Sequence, residues 1–99
     1  MGPEQTGRTV EKVSFPLGRL LITPAAQAML DQEELLTALN RHSRGDWGTV
    51  GEDDRKENDL SVQKGFRILS SHRTAKDETF WIITEAGRES TTVLLPSDY

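Results

Sequence analysis

From Phe66 to Leu95 apolar and polar residues alternate with the two-residue period of strands. In the first such segment, ending at Arg73, Phe66, Ile68 and Ser70 share one side and Arg67, Leu69 and Ser71 the other. A second, Thr79 to Glu85, sets Phe80, Ile82 and Thr84 against Trp81 and Ile83. Ser90 to Leu95 forms a third, and Pro96 stops it, because proline has no N–H for a ladder. Thr74 to Glu78 and Ala86-Gly87 supply the two turns. The pattern predicts a three-stranded antiparallel meander. Its middle strand is apolar on both sides, which predicts cover on both faces, or cover on one and pairing with another subunit.

Upstream, Phe15 to Thr23 reads as a first strand that begins after Pro16, with Leu17, Arg19 and Leu21 on one face and Leu20 and Ile22 on the other. Thr23-Pro24 is a helix start, with threonine as N-cap and proline at the first helical position. Asp31 followed by Glu34 resembles a capping box. Leu35, Leu36, Ala38, Leu39 and His42 then follow at helical spacing, and Gly45 ends that helix. Trp47 lies between two glycines and is expected to plug the gap between helices. A third helix is expected from about residue 49 or 51 to Lys64, with a thin apolar face of Val50, Leu60 and Val62 and a solvated acidic face. The fold class is therefore α+β: one N-terminal strand, two to three helices, then the meander, with helices packed on one face. Residues 1–14, with little to bury, read as a disordered tail before a single domain over 15–99.

The composition narrows the chemistry. With no cysteine, a disulfide, a thiolate metal site and a cysteine nucleophile are excluded, and the balance leans towards a cytoplasmic protein. No stretch approaches the ~20 apolar residues of a membrane span, and no signal-peptide layout opens the chain. Residues 1–6 fit a myristoylation pattern but lack a polybasic second signal. The net charge is −4, and residues 51–60 carry five acids against two bases. No basic stripe marks a duplex nucleic-acid surface.

The spans RHSRGDWG (41–48) and WIITEAGRESTTVLLPSDY (81–99) resemble a family of small "plasmid-related" proteins of bacterial plasmids and integrative elements. The resemblance covers about residues 15–99 and implies a mobile-element origin, but no activity and no catalytic residues. A second resemblance is at the level of fold. Helices followed by a meander, with Arg67 and a charged hairpin tip, look like ribonucleases of the barnase/RelE type. There, arginines on the sheet hold phosphate and a general acid often sits on the last hairpin. In this chain the tip carries Arg88, not histidine.

His42 and His72 are the side chains with acid–base capacity near neutrality. His42 closes an apolar stripe and is expected to pack against Trp47, whereas His72, beside Arg73 and near a turn, is expected to be exposed. A nuclease would combine Arg67, Arg73 and Arg88 as phosphate ligands with Glu85 as base and His72 as acid, and hydroxyls from Thr91 and Thr92. The simpler reading of the same residues is a solvated strand with cross-strand ion and threonine pairs. Asp53, Asp54, Glu57 and Asp59 match no calcium loop and read as a solvated face.

The expected function is that of a noncatalytic accessory protein acting through protein–protein contact, with no cofactor or metal. Its partner is a protein, a second copy being one candidate. The contact surface is the open face or edge of the meander, with Arg67, Arg73, Trp81 and Arg88 as binding residues. The alternatives are the small metal-independent ribonuclease and an acidic inhibitor of a nucleic-acid-processing enzyme. Nucleic acid is the less favoured partner and a membrane is excluded.

Overall fold

A computed structural model describes residues 15–99; the expected tail at 1–14 lies outside the described residues. The elements run β1 (Arg19–Ile22), α1 (Pro24–Met29), α2 (Gln32–Ser43), α3 (Glu52–Lys64), β2 (Ile68–Arg73), β3 (Thr79–Thr84) and β4 (Ser90–Leu94). The architecture is α+β, with three helices and one four-stranded sheet ordered β1-β4-β3-β2. The meander is present as β2, β3 and β4, paired antiparallel with Ile68 opposite Thr84 and Ile82 opposite Val93. β1 joins β4 in parallel, placing Ile22 beside Val93, so the sheet is mixed rather than a separate strand and meander.

The helix boundaries follow their caps. Thr23 accepts the Ala26 N–H at the start of α1, and Asp31 and Glu34 form a complete, reciprocal capping box at the start of α2. α3 ends on Gly65 in the left-handed region, which glycine enters without a Cβ clash.

The core lies between α1, α2 and one sheet face, where Ala26, Ala38 and Leu39 meet Phe80, Ile82 and Val93. Leu17 and Ile22 both pack against it, although simple alternation assigns them to opposite faces. Gly18, with φ of 67°, breaks the alternation between them. Two further expectations need correcting. Helical spacing with Leu39 and His42 and strand parity with Ile68 would bury Leu36 and Phe66, yet both are exposed: Leu36 faces away from the stripe that ends at His42, and Phe66 precedes β2. The buried residues of α3 are polar, Asn58 and Ser61, while Leu60 is exposed.

Asn58 explains why a polar helix can sit here. Its amide donates to Leu69 C=O at 2.7 Å and accepts from Leu69 N–H at 3.3 Å, so a side chain takes the place of a neighbouring strand. Further along, Ser71 N–H donates to Trp47 C=O and Thr49 N–H donates to Ser71 C=O. Gly48 makes this approach feasible, since a Cβ there would collide with the Ser71 carbonyl oxygen. The outer edge of β2 is thereby covered. At the opposite edge, among the described residues, β4 is the strand neighbour of β1 and its other side is open.

Candidate functional site

Several residues expected to bind or catalyse meet on the sheet face opposite α1 and α2. Alternation along β3 and β4 places Trp81 and Ile83 there, with Thr92 and Leu94. After Pro96 the chain turns back, and Asp98 fixes that turn by accepting from Thr23 Oγ1 at 2.7 Å and from Leu95 N–H at 3.0 Å. These two bonds hold the Asp98 carboxyl below its ordinary pKa. Tyr99 is thereby laid edge-on against Trp81, with ring centroids 5.8 Å apart. Arg67 donates to the Tyr99 hydroxyl at 2.9 Å, lies over its ring, and pairs with Glu85 at 3.7 Å.

Arg88, from the hairpin tip, has a different task. Its guanidinium donates to Ser61 C=O at 2.6 Å and Phe66 C=O at 2.7 Å, and more weakly to Glu85 C=O, so it caps the end of α3. It does so from a strained backbone, with φ of 64°. Arg88→Ala is expected to lower unfolding free energy by about 2–3 kcal/mol, the scale of a charge-assisted hydrogen bond. Arg88→Gly should recover about 1 kcal/mol of that by relieving the strain. Urea titration of the three proteins checks both. Arg73 pairs with Asp77 at 2.7 Å.

His72 is not exposed; it is 2% accessible and points into the core side of the sheet. Its parity with Ile68 and Ser70, rather than its nearness to a turn, decides its direction. Arg67, Glu85 and Arg88 thus lie together at one end of the sheet. His72 sits five residues further along β2 than Arg67, about 16 Å, on the other face. The proposed nuclease set does not converge on one site. Around His72, Arg41 pairs with Asp46 at 2.8 Å, and a cleft of about 430 Å³ runs between α2 and the β2–β3 hairpin.

The two histidines, unrelated in sequence, belong to one buried chain. His72 Nε2 lies 2.9 Å from Ser70 Oγ, which lies 2.6 Å from His42 Nδ1. His42 Nε2 lies 2.8 Å from Thr84 Oγ1, itself 2.7 Å from Thr91 Oγ1, which donates to Leu17 C=O at 2.7 Å. A carbonyl only accepts, and each hydroxyl has one hydrogen, so the last bond fixes all the others. Thr91 uses its hydrogen on Leu17, Thr84 must donate to Thr91, and His42 must donate from Nε2. Ser70 then donates to His42 Nδ1 and accepts from His72 Nε2–H. Every proton points the same way, and His72 Nδ1 is left as a bare, unpartnered acceptor beside Gly48.

Both rings are neutral in this arrangement. Burial pushes His42 down to about 3, with smaller contributions from His72 and Arg88. Burial, with Arg41, pushes His72 down to about 4. His42 is further enclosed by edge-on contacts with Phe15 and Trp47, and the Trp47 indole donates to Asp59 at 2.9 Å. Trp47 therefore joins α2 to α3, as expected, and Asp59 is an indole acceptor rather than a free surface acid.

Tyr99 and the chain Ser70–His42–Thr84–Thr91 are the features that reading the sequence did not single out. The signal for the chain was present, since Ser70 and Thr84 occupy inward positions of their strands, where an unpaired hydroxyl is costly. Among the described residues no cluster of three or more His, Cys, Asp or Glu side chains could hold a metal ion. No described helix is long and apolar enough to cross a membrane. No family model matches the chain, and neither a curated protein nor a solved structure matches it.

Proposed function

We propose that this chain is a noncatalytic protein–protein contact module, an accessory of a bacterial mobile element in line with the resemblance of residues 41–48 and 81–99. The observation that carries this reading is the sheet face bearing Trp81, Tyr99 and Arg67. Tyr99 is 69% exposed and Trp81 half-buried, and the two rings and the guanidinium hold one another in place. Tryptophan, tyrosine and arginine are the residues that most often anchor interfaces. Held in advance, they lose little conformational freedom on binding. The surface lies on the outer face of the meander, beside the buried Ile83 and Leu94, with Arg67 and Trp81 as contact residues and Arg88 as the support that holds the adjoining hairpin.

Affinity capture from a bacterium that carries the element tests this. The intact chain is expected to retain a defined protein that Trp81→Ser and Tyr99→Ser each release by at least tenfold, with unchanged circular dichroism. Retention of the same protein by both variants would sink the reading.

A further inference from the structure

We infer that a second copy of this chain pairs with the outer edge of β1, antiparallel and about a two-fold axis through Leu21, so that two four-stranded sheets become one of eight strands. Arg19 N–H donates to Glu89 C=O and Thr23 N–H to Val93 C=O, so the odd positions of β1 are bonded inward to β4. Leu20 and Ile22 therefore turn their N–H and C=O groups outward. Leu20 is 53% and Leu21 41% exposed, an apolar pair at the centre of an edge strand whose one charged residue, Arg19, stands at its end. The other edge of the same sheet is closed by Asn58 and residues 47–49.

The register argues for this chain as its own partner. With outward-bonding residues at 20 and 22, a two-fold pairing sets Leu20 against Ile22 of the second copy and Leu21 against itself. Arg19 then falls opposite Thr23 of the second copy, whose hydroxyl is bonded to Asp98. Arg19 and Thr23 share a parity with Leu21, so guanidinium and carboxylate meet on one face. The symmetry supplies this pair twice, flanking the apolar centre. A neutral peptide would find the same backbone groups but neither ion pair. The edge is short, so a weak, concentration-dependent dimer follows, loosened by salt. β1 lies two strands from Trp81, and the pairing would merge two copies of the contact face proposed above without occupying either.

Because the chain has no cysteine, Leu21→Cys gives a direct test. Residues facing each other in a non-hydrogen-bonded antiparallel pair have Cα atoms about 4.5 Å apart, within disulfide range. Under mild oxidation the full-length variant is expected to form a covalent dimer, while Leu60→Cys, on the exposed side of α3, does not. In the cysteine-free protein, analytical ultracentrifugation should show twice the monomer mass at high concentration. Arg19→Asp should weaken that association at least tenfold, with unchanged circular dichroism. The inference is overturned if the protein stays monomeric and Leu21→Cys does not cross-link, or if Leu60→Cys links equally well. A dimer indifferent to Arg19→Asp overturns it as well. So does cross-linking that appears after removal of residues 1–14 and not before, since this chain's own N-terminal segment then holds the edge. None of these outcomes bears on capture through Trp81 and Tyr99.

Discussion

His42→Ala is expected to cost about 3–5 kcal/mol of unfolding free energy, a large part of the roughly 5–15 kcal/mol available to a domain. The histidine is the middle link of the buried chain. Without it, the Ser70 hydroxyl has no acceptor at Nδ1 and the Thr84 oxygen loses its donor at Nε2. Each orphaned buried group costs about 1–3 kcal/mol. The ring also fills space between Phe15 and Trp47, and its removal adds a cavity. His42→Leu refills most of that volume but leaves Ser70 and Thr84 each one hydrogen bond short, so it should recover only part of the loss. Denaturant titration of the three proteins measures the difference. A loss below 1 kcal/mol for His42→Ala would mean that the chain contributes little.

The protein is also expected to lose stability steeply in mild acid. An unfolded histidine titrates near 6.5, whereas folding lowers His42 to about 3 and His72 to about 4. Below 6.5 the unfolded state binds two more protons than the folded one, so stability falls as pH falls. It is fully present above 6.5 and lost from there down to about 4 for His72 and about 3 for His42, at up to about 2.7 kcal/mol per pH unit while both contribute. From pH 7 to pH 5 the loss is on the order of 3–4 kcal/mol. The lowered carboxyls of Asp46 and Asp98 lose their contribution only as pH falls through the ordinary carboxylate range, so they add little between pH 7 and pH 5. Urea midpoints at the two pH values check the prediction. His72→Gln should remove about half of the slope, because one of the two titrating groups is then absent. Equal midpoints at pH 7 and pH 5 would contradict the buried, neutral assignment of both rings.

What the sequence made legible were features set by local chemistry. Alternation located β2, β3 and β4 because each strand has a buried side, and the Thr23-Pro24 and Asp31/Glu34 caps placed two helix starts because capping is a short-range hydrogen bond. The parallel docking of β1 on β4 was not legible, because it depends on the path of the intervening chain and on the turn at Gly18. α3 was recognised as a surface helix. Its anchor, however, is an amide bonded to a strand edge, which leaves no trace in hydrophobic spacing. Of the expected site residues, Trp81 and Arg67 do meet, through Tyr99, thirty-two positions from Arg67. Arg88 turned inward to the carbonyls of Ser61 and Phe66, which meet the hairpin tip only in three dimensions. His72 follows strand parity with Ile68 and Ser70, which nearness to a turn does not override.

The contact reading is tested most directly at Tyr99 itself. A benzoylphenylalanine photo-cross-linker placed there keeps an aromatic ring against Trp81, and one at Leu36, exposed on α2, serves as the reference. Irradiation in cells carrying the element is expected to give a discrete protein adduct from position 99 and none from position 36. An adduct from position 36 alone, or from neither position, would contradict the proposal that this sheet face is where the protein meets its partner.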